Sequence, residues 1–250
     1  MSATLACIHR HPIKSHGREE LPAVTLVAGA CLPGDRRWAV AHQASPFDPD
    51  LPAWAPCSAF QRVARTPALM AITAEWDEAA GLMTLRHPDL GAIAFDPEAE
   101  GERFLAWVAP VSPGGLQRPR ALVSAPGRGM TDSDFPSVSV KSLASNAALG
   151  AHLGRDLSVH RWRGNLWLDG LEPWEEERWV GRRLRVGGAT LRVEERVGRC
   201  KATTADPETG RPDVDTLRAL WELRGVTAFG LYAVVEEGGE VRRGDPVELL

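Results

Sequence analysis

The sequence predicts a mainly β protein with a few helices, and three observations support this fold class. Short apolar segments rich in β-branched and aromatic residues recur along the 250 residues. Gly, Pro or Asp turns separate these segments, as is typical of strands. Helical spacing is clear in only two places. Regular short strands with few helices favour a barrel or a sandwich over a doubly wound parallel sheet, in which strands and helices alternate.

The predicted strands form an N-terminal and a C-terminal group. The first group comprises residues 4–10, 23–29, 37–43, 68–76 and 82–87. The second comprises residues 120–125, 137–140, 165–170, 182–188, 189–197 and 229–237. Each segment has the length and composition of a strand and is bounded by turn-forming residues.

Two helices are predicted in the second half of the chain. In residues 142–154, Ser142 is a candidate N-cap, and apolar residues follow it at helical intervals. Residues 214–225 have the same spacing and end at Gly225, a residue type that commonly terminates helices.

Pro and Gly cluster in residues 109–120, APVSPGGLQRPR, where no periodicity persists. We interpret this segment as the junction of two domains, residues 1–112 and 113–250. A long loop within one domain is the alternative. A chain of 250 residues can bury a full core in either arrangement.

Composition weighs against several classes of function. With 44% hydrophobic and 25% charged residues, the chain resembles a soluble globular protein, and its net charge of −4 gives no general attraction to nucleic acid or membrane surfaces. His9, Arg10 and His11 interrupt the first apolar run, unlike the core of a signal peptide. No apolar stretch approaches the roughly 20 residues that span a bilayer. We expect a cytoplasmic protein with no nucleic-acid or membrane partner.

Cysteine spacing directs attention to Cys200. The wide separation of the four cysteines matches neither a zinc nor an iron–sulfur ligand pattern. Cys200 alone is flanked by cations, Arg199 and Lys201, which favour the thiolate form. A thiolate is a soft metal ligand and a nucleophile. The alternative is a small, buried apolar residue, the commonest role of a free cysteine.

Three loops carry cations next to hydroxyl or amide donors. Such donors suit a phosphate and a polar heterocycle, and ordinary solvated surface charge is the alternative for each loop. The residues are Lys14 and Ser15 after the first strand, Arg36 and Arg37 beside a Gly–Asp turn, and Arg161, Arg163 and Asn165 before a later strand.

Six motifs together resemble the MOSC proteins, which are named after the C-terminal domain of molybdenum cofactor sulfurases. In chain order they are PIKS (12–15), GDRRW (34–38), RGN (163–165), RCKATTADPETG (199–210), FGLY (229–232) and GDPV (244–247). Within that family the pattern is similar to the mitochondrial amidoxime reducing components and their bacterial counterparts. The resemblance implies a β-rich MOSC-N-like domain over residues 1–112 and a MOSC β-barrel carrying Cys200 over residues 113–250.

The resemblance also implies a site. In the family, the cysteine that matches Cys200 is the protein ligand of molybdenum, and the pterin of the molybdenum cofactor lies between the two domains. A soft thiolate suits a metal already held by the pterin's dithiolene sulfurs, and Lys and Arg suit its phosphate. The implied cofactor contacts are Lys14, Ser15, Arg36 or Arg37, Ser139 or Ser142, Arg163, Asn165, and Thr203 or Thr204.

The function that the resemblance implies is a molybdenum-dependent oxidoreductase acting on small N-hydroxylated or related N–O compounds. The sequence contains no G-x-G-x-x-G dinucleotide fingerprint and no cysteine array for an iron–sulfur cluster. Electrons therefore have to come from a separate flavin, haem or iron–sulfur protein. Two alternatives remain open: a sulfur carrier that uses a Cys200 persulfide, and a carrier that stores or delivers the molybdenum cofactor without catalysis.

Overall fold

The computed structural model describes residues 3–250 and confirms the predicted mainly β class. Strands make up 35% of the chain, and they include a closed barrel of seven strands. None of the helices within residues 3–250 combines the length and the apolarity needed to cross a lipid bilayer.

The elements of the first half of the chain are mostly short strands. In chain order they are β1 (Ala3–Arg10), β2 (Glu19–Leu21), β3 (Ala23–Leu26), β4 (Trp38–His42), β5 (Thr73–Asp77), β6 (Leu82–His87), β7 (Gly91–Phe95), α1 (Gly101–Val108) and β8 (Pro119–Ser124).

Seven strands, of which two have ten residues, and two further helices make up the second half. They are β9 (Val138–Ser142), α2 (Leu143–His152), β10 (Leu166–Asp169), β11 (Arg183–Val186), β12 (Ala189–Gly198), α3 (Thr216–Arg224), β13 (Ala228–Glu237), β14 (Gly239–Arg242) and β15 (Pro246–Leu249).

The barrel is closed by the first strand of the chain. Hydrogen-bonded neighbours follow the order β10-β9-β13-β12-β11-β15-β1, and β1 pairs with β10 to complete the ring. Leu5 and Ile8 of β1 are fully buried in the same apolar core as Val140 and Leu231. Burial of these side chains against the strands of the second half holds β1 in the barrel. The strand pairing therefore runs across the boundary expected at residue 112, and that boundary stays a prediction.

Two small sheets and α1 pack around a second core. One sheet pairs β4 with β8, and the other has the order β5-β6-β7. Phe95 stacks on Phe104 with ring centroids 5.2 Å apart, so that α1 covers the second sheet. The loop after β1 contributes Ile13 to this core. Because β1 belongs to the barrel and Ile13 to the second core, the residues that follow Ile13 lie where the two cores meet.

Both predicted helices are present, with the expected ends. Ser142 caps α2 by accepting a hydrogen bond from the backbone N–H of Ser145 at 3.2 Å. In α3 the chain ends the helix at Gly225, whose φ of 70° lies in the left-handed region that glycine adopts readily.

The prediction of a single strand over residues 68–76 is wrong in its first half. Pro67–Ala71 form a 3₁₀ turn, and the strand begins only at Thr73. Proline occupies the first position of this turn, where its fixed φ is accommodated. Leu69 and Met70 are fully buried. The apolar run therefore reflects burial in the core and not strand pairing.

Buried histidines make the fold sensitive to acid. Burial lowers the pKa of His9, His16 and His160 from 6.5 to about 4. Between these values the unfolded chain binds more protons than the folded chain, so the free energy of unfolding should fall as the pH is lowered from 6.5 towards 4. The slope contributed by each histidine is at most about 1.4 kcal/mol per pH unit. Urea unfolding at several pH values across this window measures it.

A single variant separates this effect from general acid denaturation. His16→Gln removes a fully buried imidazole and should make the slope shallower. Equal slopes in wild type and His16→Gln would contradict the assignment.

Candidate functional site

A cleft with a volume of about 190 Å³ lies where the loop after β1 meets the ends of the barrel strands. Most of the predicted site residues line it. They are Lys14, Ser15, Arg36, Ser139, Arg163, Asn165, Cys200 and Thr203. Positions distant in the sequence, from the first loop to the segment after β12, are thus brought to one cavity.

Arg37, Ser142 and Thr204 lie elsewhere, although each was the alternative to a residue that does line the cleft. Arg37 is exposed and donates to the Glu98 carboxylate at 2.9 Å. Ser142 is the buried cap of α2. The hydroxyl of Thr204 donates to the backbone carbonyl of Lys201 at 2.8 Å.

Backbone conformation distinguishes the members of two of these pairs, Arg36 from Arg37 and Ser139 from Ser142. Arg36 has a φ of 52°, a left-handed turn residue, and its Nη2 donates to the carbonyl oxygen of Arg163 at 2.9 Å. Successive side chains of a strand point to opposite faces. Ser139 of β9 therefore faces the cleft, whereas Val138 and Val140 face the barrel core.

The Cys200 side chain is exposed at the cleft. Cys200 follows β12 and precedes a short 3₁₀ turn over Lys201–Thr204, and its side chain makes no capping hydrogen bond to that turn. The backbone carbonyl of Cys200 accepts a hydrogen bond from the Thr203 hydroxyl at 3.2 Å. The Thr203 hydroxyl also lies 2.6 Å from that of Thr216. The backbone of Cys200 is thus fixed while its thiol stays free.

The other cysteines differ in their surroundings. Burial raises the pKa of the Cys7 thiol to about 11. Cys31 is buried. Cys57 also lines the cleft, and its Sγ accepts a hydrogen bond from Arg62 at 3.8 Å. The sequence pattern gave no indication that a second thiol would reach the same cavity.

Arg161 fixes the segment that follows Cys200. Its side chain is buried and makes two hydrogen bonds of 2.7 Å to the Asp213 carboxylate and one of 3.2 Å to Asp206. The other carboxylate oxygen of Asp206 accepts hydrogen bonds from the backbone N–H groups of Glu208 and Thr209, so Asp206 shapes the turn after Cys200. The two ends of the turn are therefore held by one guanidinium group.

Asn165 joins three segments of the cleft wall. Its Oδ1 accepts hydrogen bonds from the backbone N–H and the hydroxyl of Ser139, at 3.0 Å and 2.9 Å. Its Nδ2 donates to the carbonyl of His9 in β1 at 3.2 Å. The carboxamide thus bonds to β1 and β9, and one Nδ2 hydrogen remains for a ligand.

Besides Arg161, two of the cleft cations have acidic partners. The Lys14 ammonium donates to the carbonyl of Met130 at 2.7 Å and pairs with Asp132. The Arg36 guanidinium pairs with Asp35.

Arginines concentrate positive charge in the cleft of a chain whose net charge is −4. Burial, with repulsion from Arg36, lowers the pKa of Arg163 to about 9. Burial likewise lowers the pKa of Arg199 to about 10. Both guanidinium groups remain charged at neutral pH. Arg163 Nη1 and Arg199 Nε are buried without a hydrogen-bond partner among residues 3–250. Unpaired buried donors of this kind suit an anionic ligand.

Several cleft residues escaped the sequence analysis. They are Arg62, Lys141, Tyr232 and Arg199, the last of which the sequence analysis considered only as a neighbour of Cys200. One signal was available for Lys141. Lys14, Lys141 and Lys201 are the lysines among 29 basic residues, the rest being arginines. Two of these three rare residues line the cleft and the third adjoins Cys200.

Within residues 3–250, no group of three or more His, Cys, Asp or Glu side chains is placed to hold a metal ion.

Comparison with known proteins gives matches to two domain families and to several similar sequences. The MOSC N-terminal beta barrel domain matches residues 2–109, and the MOSC domain matches residues 130–248. Human mitochondrial amidoxime-reducing component 1 is 31% identical over 130 residues, which cover 47% of this chain and 38% of that protein. The Xenopus laevis protein of the same name is 29% identical over 126 residues, 46% of this chain and 36% of that protein. The match thus spans under two fifths of each relative's length.

Among solved structures, the YUAD protein from Bacillus subtilis is similar over 100% of this chain and 96% of that chain, with 13% sequence identity and a TM-score of 0.49.

Proposed function

The chain belongs to the MOSC-domain family, and we propose that it is a molybdenum cofactor-dependent oxidoreductase that removes oxygen from N-hydroxylated or related N–O compounds. The observation that carries the proposal is the exposed Cys200 side chain in a cleft lined by cations. The names of the curated relatives support the amidoxime-reducing chemistry.

The residues of the cleft fit this cofactor. Cys200 offers one soft ligand for a metal whose other sulfur ligands come from the pterin. The unpartnered N–H groups of Arg163 and Arg199 suit its phosphate. The remaining Nδ2 hydrogen of Asn165 and the side chain of Ser15 offer polar contacts for the heterocycle.

When bound, the cofactor supplies two-electron transfer to the N–O group. Reduction of an N-hydroxyl compound to the parent compound and water consumes two electrons and two protons. Within the protein, Arg161 holds the turn after Cys200, and Asn165, which precedes β10, bonds to the two strands that flank β10, namely β1 and β9. These contacts fix the thiol in relation to the cationic wall before any ligand enters. We propose that a separate flavin, haem or iron–sulfur protein delivers the electrons.

Metal analysis tests the proposal directly. Protein expressed with the cofactor pathway intact should contain about one molybdenum per chain and release a pterin fluorophore on oxidation. It should also reduce an aromatic amidoxime when a reduced viologen dye replaces the natural electron donor. Molybdenum-free protein from such cells would overturn the proposal. Cyanide-releasable sulfur on the molybdenum-free protein would favour a sulfur carrier that uses a Cys200 persulfide. Molybdenum-containing protein without turnover would favour a cofactor carrier.

Lys14→Ala should weaken retention of the cofactor while the fold is kept. The ammonium lies at the cleft and links its first loop to Met130 and Asp132. Loss of one charge-assisted hydrogen bond costs about 1.5–3 kcal/mol. Pterin content after gel filtration at increasing dilution measures the change. Arg37→Ala is the matched control, since this exposed guanidinium lies outside the cleft and should have no effect. Unaltered retention in Lys14→Ala would remove Lys14 from the site.

A further inference from the structure

Lys141 is buried in the wall of the cleft, and its side-chain nitrogen is without a partner in the part of the chain that the structure describes. The residue is 1% exposed and lines the cavity from β9. Its Nζ makes no hydrogen bond to any of residues 3–250. A buried, unpaired ammonium is strongly unfavourable, so a buried lysine is normally paired or loses its charge. Neither Lys141 nor its neighbours on β9 belong to the motifs described above.

Two glycines make room for this side chain. A Cβ at Gly164 would lie 2.7 Å from Lys141 Cδ and closer still to Cε. A Cβ at Gly230 would lie 2.8 Å from Lys141 Nζ. Any larger residue at either position would therefore collide with Lys141. The loop before β10 and the strand β13 are thus shaped around the lysine.

The charged groups around Lys141 are mostly positive. Arg163 precedes Gly164, and Arg199 Nη2 donates to the carbonyl of Trp162 at 2.9 Å. Burial, followed by repulsion from Arg199 and Arg36, lowers the pKa of Lys141 well below 10.5, and Glu176 opposes this only in part. One oxygen of Glu176 accepts the Ser145 hydroxyl at 2.8 Å, and the other has no hydrogen-bond partner among residues 3–250, Lys141 included. Burial also raises the pKa of the Glu176 carboxyl, which weakens its attraction for a proton on Lys141. With the cleft empty, the surroundings therefore favour the neutral amine.

Lysine differs from arginine in being able to take this form. A guanidinium group stays protonated in proteins, whereas a buried lysine shifts its pKa readily. The chain uses lysine at only three positions and arginine for its other cations. A lysine at position 141 can thus be neutral in the empty cleft and charged when an anion enters.

We propose that Lys141 is an oxyanion-binding residue of the cleft and takes up a proton when the anion binds. The amine accepts a proton from solvent, and the ammonium then donates to an oxygen of a phosphate or a similar oxyanion beside Arg163 and Arg199. The anion offsets the repulsion that keeps the amine neutral. The inference rests on the proposed function only for the natural source of the oxyanion, either the cofactor's phosphate or an anionic substrate.

The rarity of lysine makes the test direct. Protein labelled with ¹³C at lysine Cε should give three resonances, and the one from Lys141 is identified by its loss in Lys141→Met. In cofactor-free protein at about pH 7.5, added inorganic phosphate should move this resonance from the amine to the ammonium position. A resonance that phosphate at saturation leaves in place would overturn the proposal.

Binding of phosphate to cofactor-free variants gives a second readout. Lys141→Met should bind phosphate at least about tenfold more weakly than wild type. Gly164→Ala keeps the lysine but displaces it, and should weaken binding similarly. Lys201→Met is the matched control, because Lys201 is exposed beside Cys200 but does not line the cleft. Unchanged affinity in Lys141→Met would refute the role.

Stability separates a binding role from a structural one. Lys141→Met removes a buried polar group, so its Tm should equal or exceed that of wild type. A lower Tm would identify Lys141 as a structural residue and overturn the proposal.

The two sources of the oxyanion are distinguished in cofactor-loaded protein. If the cofactor's phosphate occupies the site, the Lys141 resonance is already at the ammonium position and added phosphate does not move it. If the site serves an anionic substrate, the loaded protein still responds to phosphate. The measurements on cofactor-free protein need neither molybdenum nor an electron donor, so failure of the proposed function would leave their outcome intact.

Discussion

Cys200→Ser should reduce molybdenum-dependent turnover to background while the protein stays folded. Serine has nearly the shape of cysteine but is a hard, weakly acidic ligand, so the thiolate bond to the metal is lost. The fold should tolerate the change because the side chain is exposed and makes no capping hydrogen bond. Pterin can remain in part through the cationic contacts. Turnover assays and molybdenum K-edge absorption, which counts sulfur ligands, measure the two effects.

Serine replacements of the other cysteines are the controls. Cys57→Ser is the most informative, because Cys57 lines the same cleft without the flanking cations of Cys200. Cys7→Ser and Cys31→Ser alter residues outside the cavity. All three should keep the sulfur coordination number of wild type. Should Cys200→Ser also keep it, with normal rates, the molybdenum-enzyme proposal would be wrong in its central claim.

Arg161→Met should cause the largest loss of stability near the site. It removes the buried cation that pairs with Asp213 and Asp206 and leaves both carboxylates without it. Breaking a buried ion pair costs about 3–5 kcal/mol. We expect the free energy of unfolding to fall by about 3 kcal/mol, the lower end of that range. The reason is that the two carboxylates are 22% and 24% exposed. Asp213 also keeps its pair with Arg155.

Arg155→Met provides the comparison for this change. Arg155 pairs with the same Asp213 carboxylate at 2.8 Å, but its side chain is 42% exposed. Exposed pairs contribute about 0–1 kcal/mol, so this variant should be nearly as stable as wild type. Denaturant unfolding of both variants measures the difference. Equal losses would mean that Arg161 does not hold the turn after Cys200 through its buried pairs.

Residues close together in the chain were enough to predict two of the helices and the long strands. Cap and stop residues identified α2 and α3 because Ser142 and Gly225 act on the backbone immediately beside them. The long strands β12 and β13 were recognisable from their own composition. The strands β2, β7, β14 and β15, of three to five residues, were not predicted, and neither was α1. Strands this short carry little pattern of their own, and β3 and β10 were recognised only within longer β-rich segments.

The sequence by itself determined the mainly β class and the Cys200 motif, because each depends on neighbours in the chain. Only the tertiary structure decided that Arg36, Ser139 and Thr203 line the cleft and that Arg37, Ser142 and Thr204 do not. Which way these side chains point depends on backbone angles and strand faces that packing fixes. The place of Lys141 is likewise tertiary, since its neighbours Gly164, Arg199 and Gly230 come together only when β9 pairs with β10 and β13, and β13 pairs with β12.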